Sequence, residues 1–555
     1  MFKKNSKILV LALICMTGAL FFSCSSDPIK EEIVVTPEPE KPDPEPEEPI
    51  TADPNKVVNI NTGSVVGEMY NFWSTRPMIN QTRFTSTNFT SSLVGIKPYV
   101  KSYNLVRVLG GRTDDKNNFY KGVDASGKII TDFSDLLTSM RGFMNTGFKP
   151  RIVLDNVPWD MSGERIVDTY GNTKPPVDYD IWRQYINSFL QTLITEFGYN
   201  KVKTWRFRVS TEPNYTPHHW RGTRDEYFKH YDITVDEVLK VIPDAIIGPG
   251  NLLTEGAAKW TTDIIDHCAI GTNYATGATG TRMSFFCLSY YEKLDQKTIK
   301  FKEKVQPYRT KLNSYPQFKD IPFDIQEFGI LRGDYGKRGL SLSDATELGA
   351  SWYATIAAMA YEFNVTEIYD WGQESEGLAS GRRNVTEMFL KMEGGNRLAS
   401  DHNFDGFTGV IPVVKNGKIY LLAYNHNTTR NSNASRVMYP VIEGGEVTSA
   451  SKWKMNEWTI DKTHGIFMNE LYKDVRAAGV ANKTTNSARI YGSRLDDYFE
   501  AGWKNVFDVN KSKYQTLAKL PKTINNSLIE VRDDKITLKV ELEPHSVKLI
   551  ELIPE

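Results

Sequence analysis

The sequence lacks the short motifs that mark nucleotide and metal sites. Its 555 residues contain no Gly-x-Gly-x-x-Gly run, no phosphate-binding loop of the Walker type and no histidines and cysteines at metal-ligand spacing. We therefore expect no cofactor and no bound metal, and no pattern in the chain predicts a nucleic-acid partner.

Cysteine is scarce as well. Of the four cysteines, Cys15 and Cys24 belong to the first residues of the chain, which leaves Cys268 and Cys287 for the folded body. These two could pair in an oxidising compartment or stay buried thiols. The apolar run SFFCL around Cys287 favours thiols.

A short apolar run, Ile8 to Phe22, stands near the start of the chain after three lysines. It is too short and too early for a secure membrane span and is typical of a signal peptide. Cys24 follows a small residue at its end, which resembles a bacterial lipobox. We expect residues 1–23 to be a lipoprotein signal peptide and Cys24 to anchor the protein to a bacterial membrane, at the periplasmic face or outer-membrane surface. An ordinary secretory signal with an incidental cysteine is the alternative.

Residues 24–55 are rich in proline and glutamate, as in TPEPEKPDPEPEEP. Such a composition favours an extended, self-repelling spacer that holds the folded body away from a membrane. Asp27–Asp53 carries ten acids and two lysines, and residues 1–23 carry three lysines, so the overall charge of −1 leaves about +4 on the folded body. That mild excess permits an anionic substrate without demanding one.

Residues 56–403 alternate strand and helix patterns, which predicts a parallel sheet. About eight repeats favour a (β/α)8 TIM barrel over an open doubly wound sheet. The clearest helix patterns are Asp178 to Gly198 and Ser343 to Phe363. Val57–Trp73 predicts one or two strands entering the body, and the barrel strands that follow are predicted at Leu105–Leu109, Arg151–Leu154, Thr204–Val209, Ala245–Gly248, Ser284–Leu288, Pro322–Ile325 and Glu367–Asp370.

Residues 404–555 change in character. Val413–Tyr420 alternates around an Asn-Gly turn, which is the pattern of a β-hairpin, and ITLKVELEPHSVKLIEL alternates like two more strands. We therefore predict an α/β protein whose TIM barrel carries an accessory C-terminal β-sandwich domain as structural support.

Two β-rich runs each lead to a glutamate, and the separation of the two glutamates in the sequence fits two strands of one barrel. An alternating run from Trp205 to Val209 precedes Glu212, and PFDIQEFG carries Glu327. The 115 residues between Glu212 and Glu327 fit strands 4 and 7 of a barrel with about 30 to 45 residues per unit, whose chemistry lies at the C-terminal strand ends. Two carboxylates that face one sugar are the minimum for cleaving a glycosidic bond. The alternative is that both glutamates are ordinary solvated surface residues.

WRFRVSTEPNY resembles the acid/base strand of the clan A glycoside hydrolases, and Trp205 to Asn214 is similar to that of glycoside hydrolase family 39. Support for the resemblance, which spans about residues 56 to 550, comes from Asn71-Phe72-Trp73, Arg107, DIQEFG and Trp458–Leu471 with its Asp-x-x-His element. The resemblance implies a retaining double displacement on a poly- or oligosaccharide. It implies Glu212 as acid/base and Glu327 as nucleophile, with Arg107 as the candidate cation beside Glu327.

The chain departs from that family at two positions next to the cleaved sugar. Thr211 stands where the clan usually has an asparagine that binds the sugar 2-hydroxyl. Ser289-Tyr290-Tyr291 stands where the sixth strand commonly shows histidine two residues before tyrosine. These departures predict a modified or unusual sugar, for example an anhydro, sulfated or uronic one.

Further residues are expected to contact the substrate. These are Arg107, Trp159, Thr211, Asn214, His218, His219, Trp220, Tyr290, Tyr291 and Trp371. Inward packing is an equally open reading for Trp220 and the alternative for Trp159 and Trp371. Arg332, Arg382 and Arg383 are candidate anion contacts. The default interpretation for each is an ordinary solvated surface residue.

Two rival functions stay open. A carbohydrate-binding lipoprotein that has lost catalysis would account for Thr211, although the presence of both carboxylates argues against it. A transglycosidase would use the same two carboxylates and differ only in passing the intermediate to a sugar instead of water.

Overall fold

The computed structural model describes the chain from residue 49 onward, with internal gaps. The described residues are 49–80, 96–113, 118–166, 168, 170–254, 260–293, 299–331, 345–370, 374–375, 377–379, 381–401, 407–429, 432–448, 450, 452–480 and 500–555. The predicted signal peptide, Cys24 and the linker up to residue 48 lie outside these residues, as do Trp371 and Arg332.

Eight parallel strands form a closed barrel within the described part of the chain. The first five pair in chain order, and so do the last three. The two groups meet at both edges, because Ile368 N–H donates to Phe72 O at 2.7 Å and Ser284 N–H donates to Ile247 O at 2.8 Å. The strands are Thr75–Asn80, Ser102–Val106, Lys149–Leu154, Arg206–Val209, Ile246–Pro249, Phe286–Lys293, Phe323–Leu331 and Glu367–Asp370. The predicted TIM barrel is confirmed, with the first strand slightly later than expected.

Helices follow the barrel strands and cover the outside of the barrel. Their bounds are Ser134–Asn145, Tyr179–Phe197, Tyr199–Val202, Arg224–Val241, Trp260–Ile270, Phe301–Asn313, Glu347–Glu362 and Gly381–Met392. The predicted helix from Asp178 to Gly198 is confirmed, because the Asp178 carboxylate caps its first turn and Gly198, at φ 85°, ends it. No helix in the described ranges combines the length and apolar character needed to span a bilayer.

The second predicted helix starts later than expected. It begins at Glu347, because Thr346 is already extended, and it ends at Glu362, one residue before the predicted end. Residues 343–344 of the predicted span lie outside the described residues. Cys268 and Cys287 are buried free thiols, as the apolar run around Cys287 favoured.

The second domain is a β-sandwich built on an eleven-stranded sheet of described residues. Its Asn-Gly hairpin is confirmed, since Lys415 pairs with Lys418 while Asn416 and Gly417 take φ values of 53° and 72°. Ten strands follow one another across the sheet in the order Lys522–Ile524, Trp453–Ile460, Ser546–Pro554, Lys418–Asn425, Thr408–Lys415, Asn396–Ser400, Val57–Glu68, Arg436–Glu443, Lys535–Leu538 and Ile529–Arg532. The eleventh, Val540–Leu542, also pairs with Arg436–Glu443.

Two strands of this sheet come from the segment predicted as barrel. Val57–Glu68 pairs with Arg436–Glu443 on one side and with Asn396–Ser400 on the other. The reason is visible in the local pattern, because Val58 and Ile60 are buried among the sandwich residues while Asn59 and Asn61 are exposed. The chain thus passes through the sandwich before it enters the barrel.

Smaller elements cover the barrel loops. A helical segment of the second domain packs its Phe467 and Leu471 side chains against Ala345 and Leu378, which belong to the loops after the seventh and eighth barrel strands. Its helices are Met468–Ala477, Trp503–Val509 and Lys511–Leu517, and a shorter one is Gly445–Thr448. Short strand pairs are Tyr120–Val123 with Ile129–Thr131 and Glu374–Ser375 with Leu378–Ala379, and a short strand Leu252–Leu253 follows the fifth barrel strand. Single turns of 3-10 helix are Pro54–Lys56, Trp159–Met161 and Asn526–Leu528.

A bidentate ion pair, about 15% exposed on each side, lies inside the barrel near the N-terminal strand ends. Arg151 donates to both oxygens of Glu367 at 2.6 Å, and Thr75 donates to Glu367 Oε2 at 3.1 Å. Burial alone would raise the pKa of Glu367, but Arg151 and Arg206 hold it below its ordinary value. The pair therefore fixes the third strand to the eighth in its charged form.

We predict that Glu367→Gln lowers the free energy of unfolding by about 3 kcal/mol, because it leaves a buried arginine without its carboxylate. Urea unfolding followed by tryptophan fluorescence measures the change. Glu196→Gln is the matched control, since Glu196 accepts the same two-bond contact from Arg141, at 2.7 and 2.6 Å, on the protein surface. Exposed pairs contribute little, so equal shifts for the two variants would contradict the prediction.

Candidate active site

Glu212 and Glu327 lie at the C-terminal end of the barrel. Glu212 comes three residues after the fourth strand, and Glu327 lies within the seventh. Both are nearly buried, with 7% and 5% of their surface exposed. Ser289 of the sixth strand pairs in register with Glu327, and it also lies close enough to the Glu212 carboxyl to lower the pKa of that group. The structure thus brings the two predicted glutamates into one site.

The backbone turns sharply where the fourth strand ends. Ser210 (φ 69°) and Glu212 (φ 42°) both occupy the left-handed region, which costs a residue with a side chain about 1 kcal/mol or more. Neighbouring contacts hold the turn, because Tyr227 donates to Val209 O and Arg208 donates to Ser210 O, each at 3.1 Å. Such strain is typical of residues that must present a side chain at a fixed angle.

Two neutral donors hold the Glu327 carboxylate. Tyr291 O–H donates to Oε2 at 2.8 Å, and Asn251 Nδ2 donates to Oε1 at 3.2 Å and to Ser289 Oγ at 2.7 Å. Arg107, predicted as the cation beside Glu327, instead bonds Asp155 through its guanidinium and through its backbone N–H at 2.7 Å. Donors of this kind stabilise a negative charge without adding a positive one.

The Glu212 carboxyl holds its proton more strongly than an exposed glutamate does. Burial and repulsion from Glu327 raise its pKa well above the ordinary value, while Ser289, Arg208 and Arg107 lower it to a smaller extent. His219 Nε2 lies 3.5 Å from Glu212 Oε2. Burial, with Arg107 and Arg208, puts the pKa of His219 well below its ordinary value, so the imidazole is neutral and adds no charge beside Glu212.

Arg208 connects the neighbours of both glutamates. Its Nη2 donates to Thr211 Oγ1 at 2.8 Å, next to Glu212, and its Nη1 donates to Gln326 Oε1 at 2.7 Å, next to Glu327. With 2% of its surface exposed, this side chain is part of the barrel interior. One guanidinium thus fixes the spacing between the ends of the fourth and seventh strands.

Thr211 is hydrogen-bonded within the protein. Its hydroxyl donates to Asp155 Oδ2 at 2.7 Å and accepts from Arg208. The hydroxyl proton is therefore committed to Asp155, and Thr211 has no proton left to donate to a sugar in this arrangement.

Tyr290 and Tyr291 face opposite sides of the sixth strand. Tyr291 reaches Glu327, whereas Tyr290 bonds Glu292 and packs against Phe301 and Phe328. Successive side chains of a strand alternate, so the prediction that both contact substrate is wrong for Tyr290.

Three other predicted contacts are engaged within the protein. The Trp220 indole N–H donates to Thr223 O, and its ring packs on Tyr227, which favours the inward reading. The Trp159 indole N–H donates to Arg112 O at 2.8 Å. Asn214 bonds both N–H and C=O of Leu253, at 2.9 and 3.1 Å, and so fixes the loop after the fifth strand.

The two histidines predicted to contact substrate lie in different surroundings. His219 stacks on Tyr170, with ring centroids 4.2 Å apart, and reaches Glu212, while His218 lies 3.3 Å from Asp168 and is partly exposed. The arginines named as anion contacts lie elsewhere. Arg382 is fully buried and pairs with Asp370 at 2.8 Å, and Arg383 lies over the Tyr99 ring.

Sequence reasoning missed several residues of the site. They are Asp155, Arg208, Asn251, Ser289 as the neighbour of both glutamates, and Gln326. Asp155 directly follows the third strand and Asn251 closely follows the fifth, so the rule that located Glu212 would have found both. Arg208 carries no such signal, since an arginine inside an alternating strand pattern reads as solvent-facing.

The arrangement suits acid–nucleophile chemistry. One carboxyl keeps its proton to an elevated pH, and a second carboxylate is held by two donors within the same site, which divides their chemical roles. Among the described residues, no three histidine, cysteine, aspartate or glutamate side chains are grouped so as to hold a metal ion.

The family model for glycosyl hydrolases family 39 matches residues 56–360. The chain belongs to glycosyl hydrolase family 39. The match covers the first seven barrel strands with both glutamates, and it makes the protein a glycoside hydrolase. Its barrel and β-sandwich are the fold of the family 39 structures it resembles.

Relatives of this family 39 hydrolase act on different sugars. An α-1,4-L-rhamnosidase from Formosa agariphila is 26% identical over 351 residues, which are 59% of this chain and 69% of the relative. A β-xylosidase from Caldicellulosiruptor saccharolyticus is 26% identical over 291 residues, which are 48% of this chain and 58% of that enzyme.

Solved structures show the same fold. The family 39 enzyme from Xanthomonas axonopodis pv. citri aligns with a TM-score of 0.65 at 13% identity and covers 91% of this chain and 98% of its own. The family 39 β-xylosidase from Caulobacter crescentus aligns with a TM-score of 0.63 at 16% identity and covers 90% of this chain and 100% of its own.

We predict that Tyr291→Phe lowers kcat about 10- to 100-fold, because Glu327 loses one of its two donors. Steady-state kinetics on a cleaved glycoside measures the loss. Tyr290→Phe is the matched control: it removes the neighbouring hydroxyl, which bonds Glu292 on the other face of the strand. A kcat for Tyr290→Phe as low as that of Tyr291→Phe would contradict the assignment.

Proposed function

We propose that this family 39 hydrolase is a retaining glycosidase in which Glu212 is the acid/base and Glu327 the nucleophile. One observation carries the proposal: burial and Glu327 raise the pKa of Glu212, while Tyr291 and Asn251 donate to the Glu327 carboxylate. A group that keeps its proton and a group that keeps its charge are what the two roles need.

In the first step, Glu212 donates its proton to the glycosidic oxygen while Glu327 attacks the anomeric carbon. The bond to the leaving group breaks, an alcohol departs, and the sugar is bound to Glu327 as an ester. The negative charge of Glu327 disappears in this step. The main repulsion that kept Glu212 protonated disappears with it.

In the second step, Glu212 is a base. Burial still opposes its ionisation, but Arg208, Arg107 and Ser289 favour it, and no charge on Glu327 opposes it. Glu212 takes a proton from water, the oxygen attacks the anomeric carbon, and the ester bond breaks. Glu327 is released as a carboxylate, and the sugar keeps its original anomeric configuration.

The substrate is proposed to be a poly- or oligosaccharide with a modified or anionic sugar. Thr211, whose hydroxyl proton is committed to Asp155, cannot donate to the sugar in the manner of the family's usual asparagine. Asn251 Oδ1 is instead a buried acceptor with no hydrogen-bond partner among the described residues. A sugar hydroxyl is the donor that would satisfy it.

Glu327→Gln should abolish turnover while leaving binding intact, because the amide cannot form the ester. The measurement is release of reducing sugar from a panel of plant, algal and host polysaccharides, with the anomer of the first product read by NMR. Glu292→Gln, another buried glutamate on the sixth strand, is the control and should keep parent turnover.

Two outcomes would reject the proposal. Turnover by Glu327→Gln at the parent rate would remove its role as nucleophile. A first product of inverted configuration would exclude the double displacement. A protein that binds glycans and shows no turnover in the parent would instead be the carbohydrate-binding lipoprotein.

We also propose that the enzyme is a lipoprotein anchored through Cys24. The support is the sequence alone: three lysines, an apolar run and a cysteine after a small residue, followed by an acidic spacer. The anchor would keep the hydrolase at the periplasmic face of a membrane or at the outer-membrane surface.

Cys24→Ser should move the protein from the membrane fraction to the soluble fraction, because no thiol remains to carry the lipid. Immunoblotting of the two fractions measures the shift. Cys15→Ser, within the same predicted signal peptide, is the control and should stay in the membrane fraction. Unchanged fractionation of Cys24→Ser would overturn the anchor.

A further inference from the structure

A second cavity, with a volume of about 470 Å³, opens beside the loop that carries the acid/base. It lies between the loop after the third barrel strand and the start of the helix after the fourth. Among the described residues, three basic side chains line it, Lys174, Arg221 and Lys229, together with Tyr179 and one carboxylate, Glu226.

Glu226, the carboxylate of this cavity, already accepts a hydrogen bond within the protein. Glu226 accepts from the Thr223 backbone N–H at 2.6 Å and completes the cap of helix Arg224–Val241. Its charge is thus directed at a helix N-terminus, where it is favourable. It offers little compensation to the three cations across the cavity.

Lys174 and Arg221 can bind a ligand at little cost to their existing contacts. Lys174 pairs with Glu164, whose side chain is 65% exposed, and exposed pairs of this kind contribute little. Arg221 bonds Asp168 through Nη2 at 2.8 Å and Thr173 Oγ1 through Nε at 3.1 Å. Among the described residues its Nη1 has no partner.

Lys229 has no carboxylate partner among the described residues. Its ammonium lies 5.0 Å from the centre of the Tyr179 ring, a contact that holds the side chain over the cavity without neutralising it. The charge of Lys229 therefore remains available to an anion.

The cavity adjoins the site that contains Glu212. His219 contacts Glu212, and Arg221 follows two residues later, so the Cα atoms of His219 and Arg221 are at most about 7 Å apart. His218 and Arg221 also share Asp168, at 3.3 and 2.8 Å. Lys174 lines both this cavity and the pocket bounded by Thr211 and His219, so a sugar chain that extends from Glu212 toward Arg221 enters the cavity.

We propose that this cavity binds an acidic group of the glycan, a sulfate or a carboxylate, on a sugar beyond the cleaved bond. The inference rests on the proposed glycosidase function, because it assigns a second contact to the same substrate. Lys229 supplies the charge, and Lys174 and Arg221 supply further donors. The acidic group selects charged glycans at a distance from the anomeric carbon.

The test measures affinity in the Glu327→Gln protein, which holds a glycan without cleaving it. Calorimetry compares an oligogalacturonate tetrasaccharide, a sulfated carrageenan tetrasaccharide and neutral xylotetraose. We expect at least one acidic probe to bind more tightly than the neutral one. Adding Lys229→Gln should weaken that probe about tenfold, the effect of losing one charge-assisted contact, and leave xylotetraose unchanged.

Two further variants sharpen the result. Lys229→Arg keeps the charge and should restore most of the affinity. Lys240→Gln lies on the last turn of the same helix, where its side chain pairs with Asp236, and should bind like its parent. Which probe responds tells whether the cavity takes a carboxylate or a sulfate.

Two outcomes would overturn the inference. One is equal affinity for both acidic probes with and without Lys229→Gln in the Glu327→Gln protein. The other is that the acidic probes bind no more tightly than xylotetraose. These outcomes are separate from failure of the glycosidase proposal, which is judged by turnover of the parent enzyme and not by these affinities.

Discussion

The buried guanidinium of Arg208 is the interaction on which the geometry of the site depends. It donates to Thr211, the residue before Glu212, and to Gln326, the residue before Glu327, so one rigid planar group spans the fourth and seventh strands. Its third contact, to Ser210 O, supports the turn that presents Glu212. These contacts are all to neutral oxygens, and the positive charge therefore acts on the Glu212 carboxyl beyond them.

In the proposed mechanism, that charge balance lets Glu212 serve first as acid and then as base. In the resting site, burial and the charge of Glu327 outweigh Arg208, Arg107 and Ser289 in setting the pKa of Glu212. Once Glu327 is esterified in the proposed mechanism, the cations remain while the opposing charge is gone. A histidinium beside Glu212 would disturb this exchange, and the burial that keeps His219 neutral prevents it.

The features that follow from chain periodicity could be predicted from the sequence, and those that follow from side-chain partners could not. The alternation before Glu212, the cap at Asp178 and the Asn-Gly turn at Asn416 each have a local physical cause, and all three recur in the structure. Val57–Glu68 was read as entering the body, yet its partners, Arg436–Glu443 and Asn396–Ser400, lie more than 300 residues away. Arg107 likewise pairs with Asp155 because two strand ends converge, which no local pattern records.

The departures from the family pattern belong to the same network. The Thr211 hydroxyl donates a hydrogen bond to Asp155, and Asp155 in turn accepts from the backbone N–H and the guanidinium of Arg107. A side chain so committed fixes the wall of the site and leaves sugar recognition to other groups. Asn251 is the residue suited to it, because it donates to Glu327 and Ser289 while its Oδ1 stays unbonded among the described residues. In the proposed mechanism, an acceptor there, beside Glu327, selects for a sugar hydroxyl that points toward the fifth strand, and this moves the control of specificity from the Glu212 side of the site to the Glu327 side.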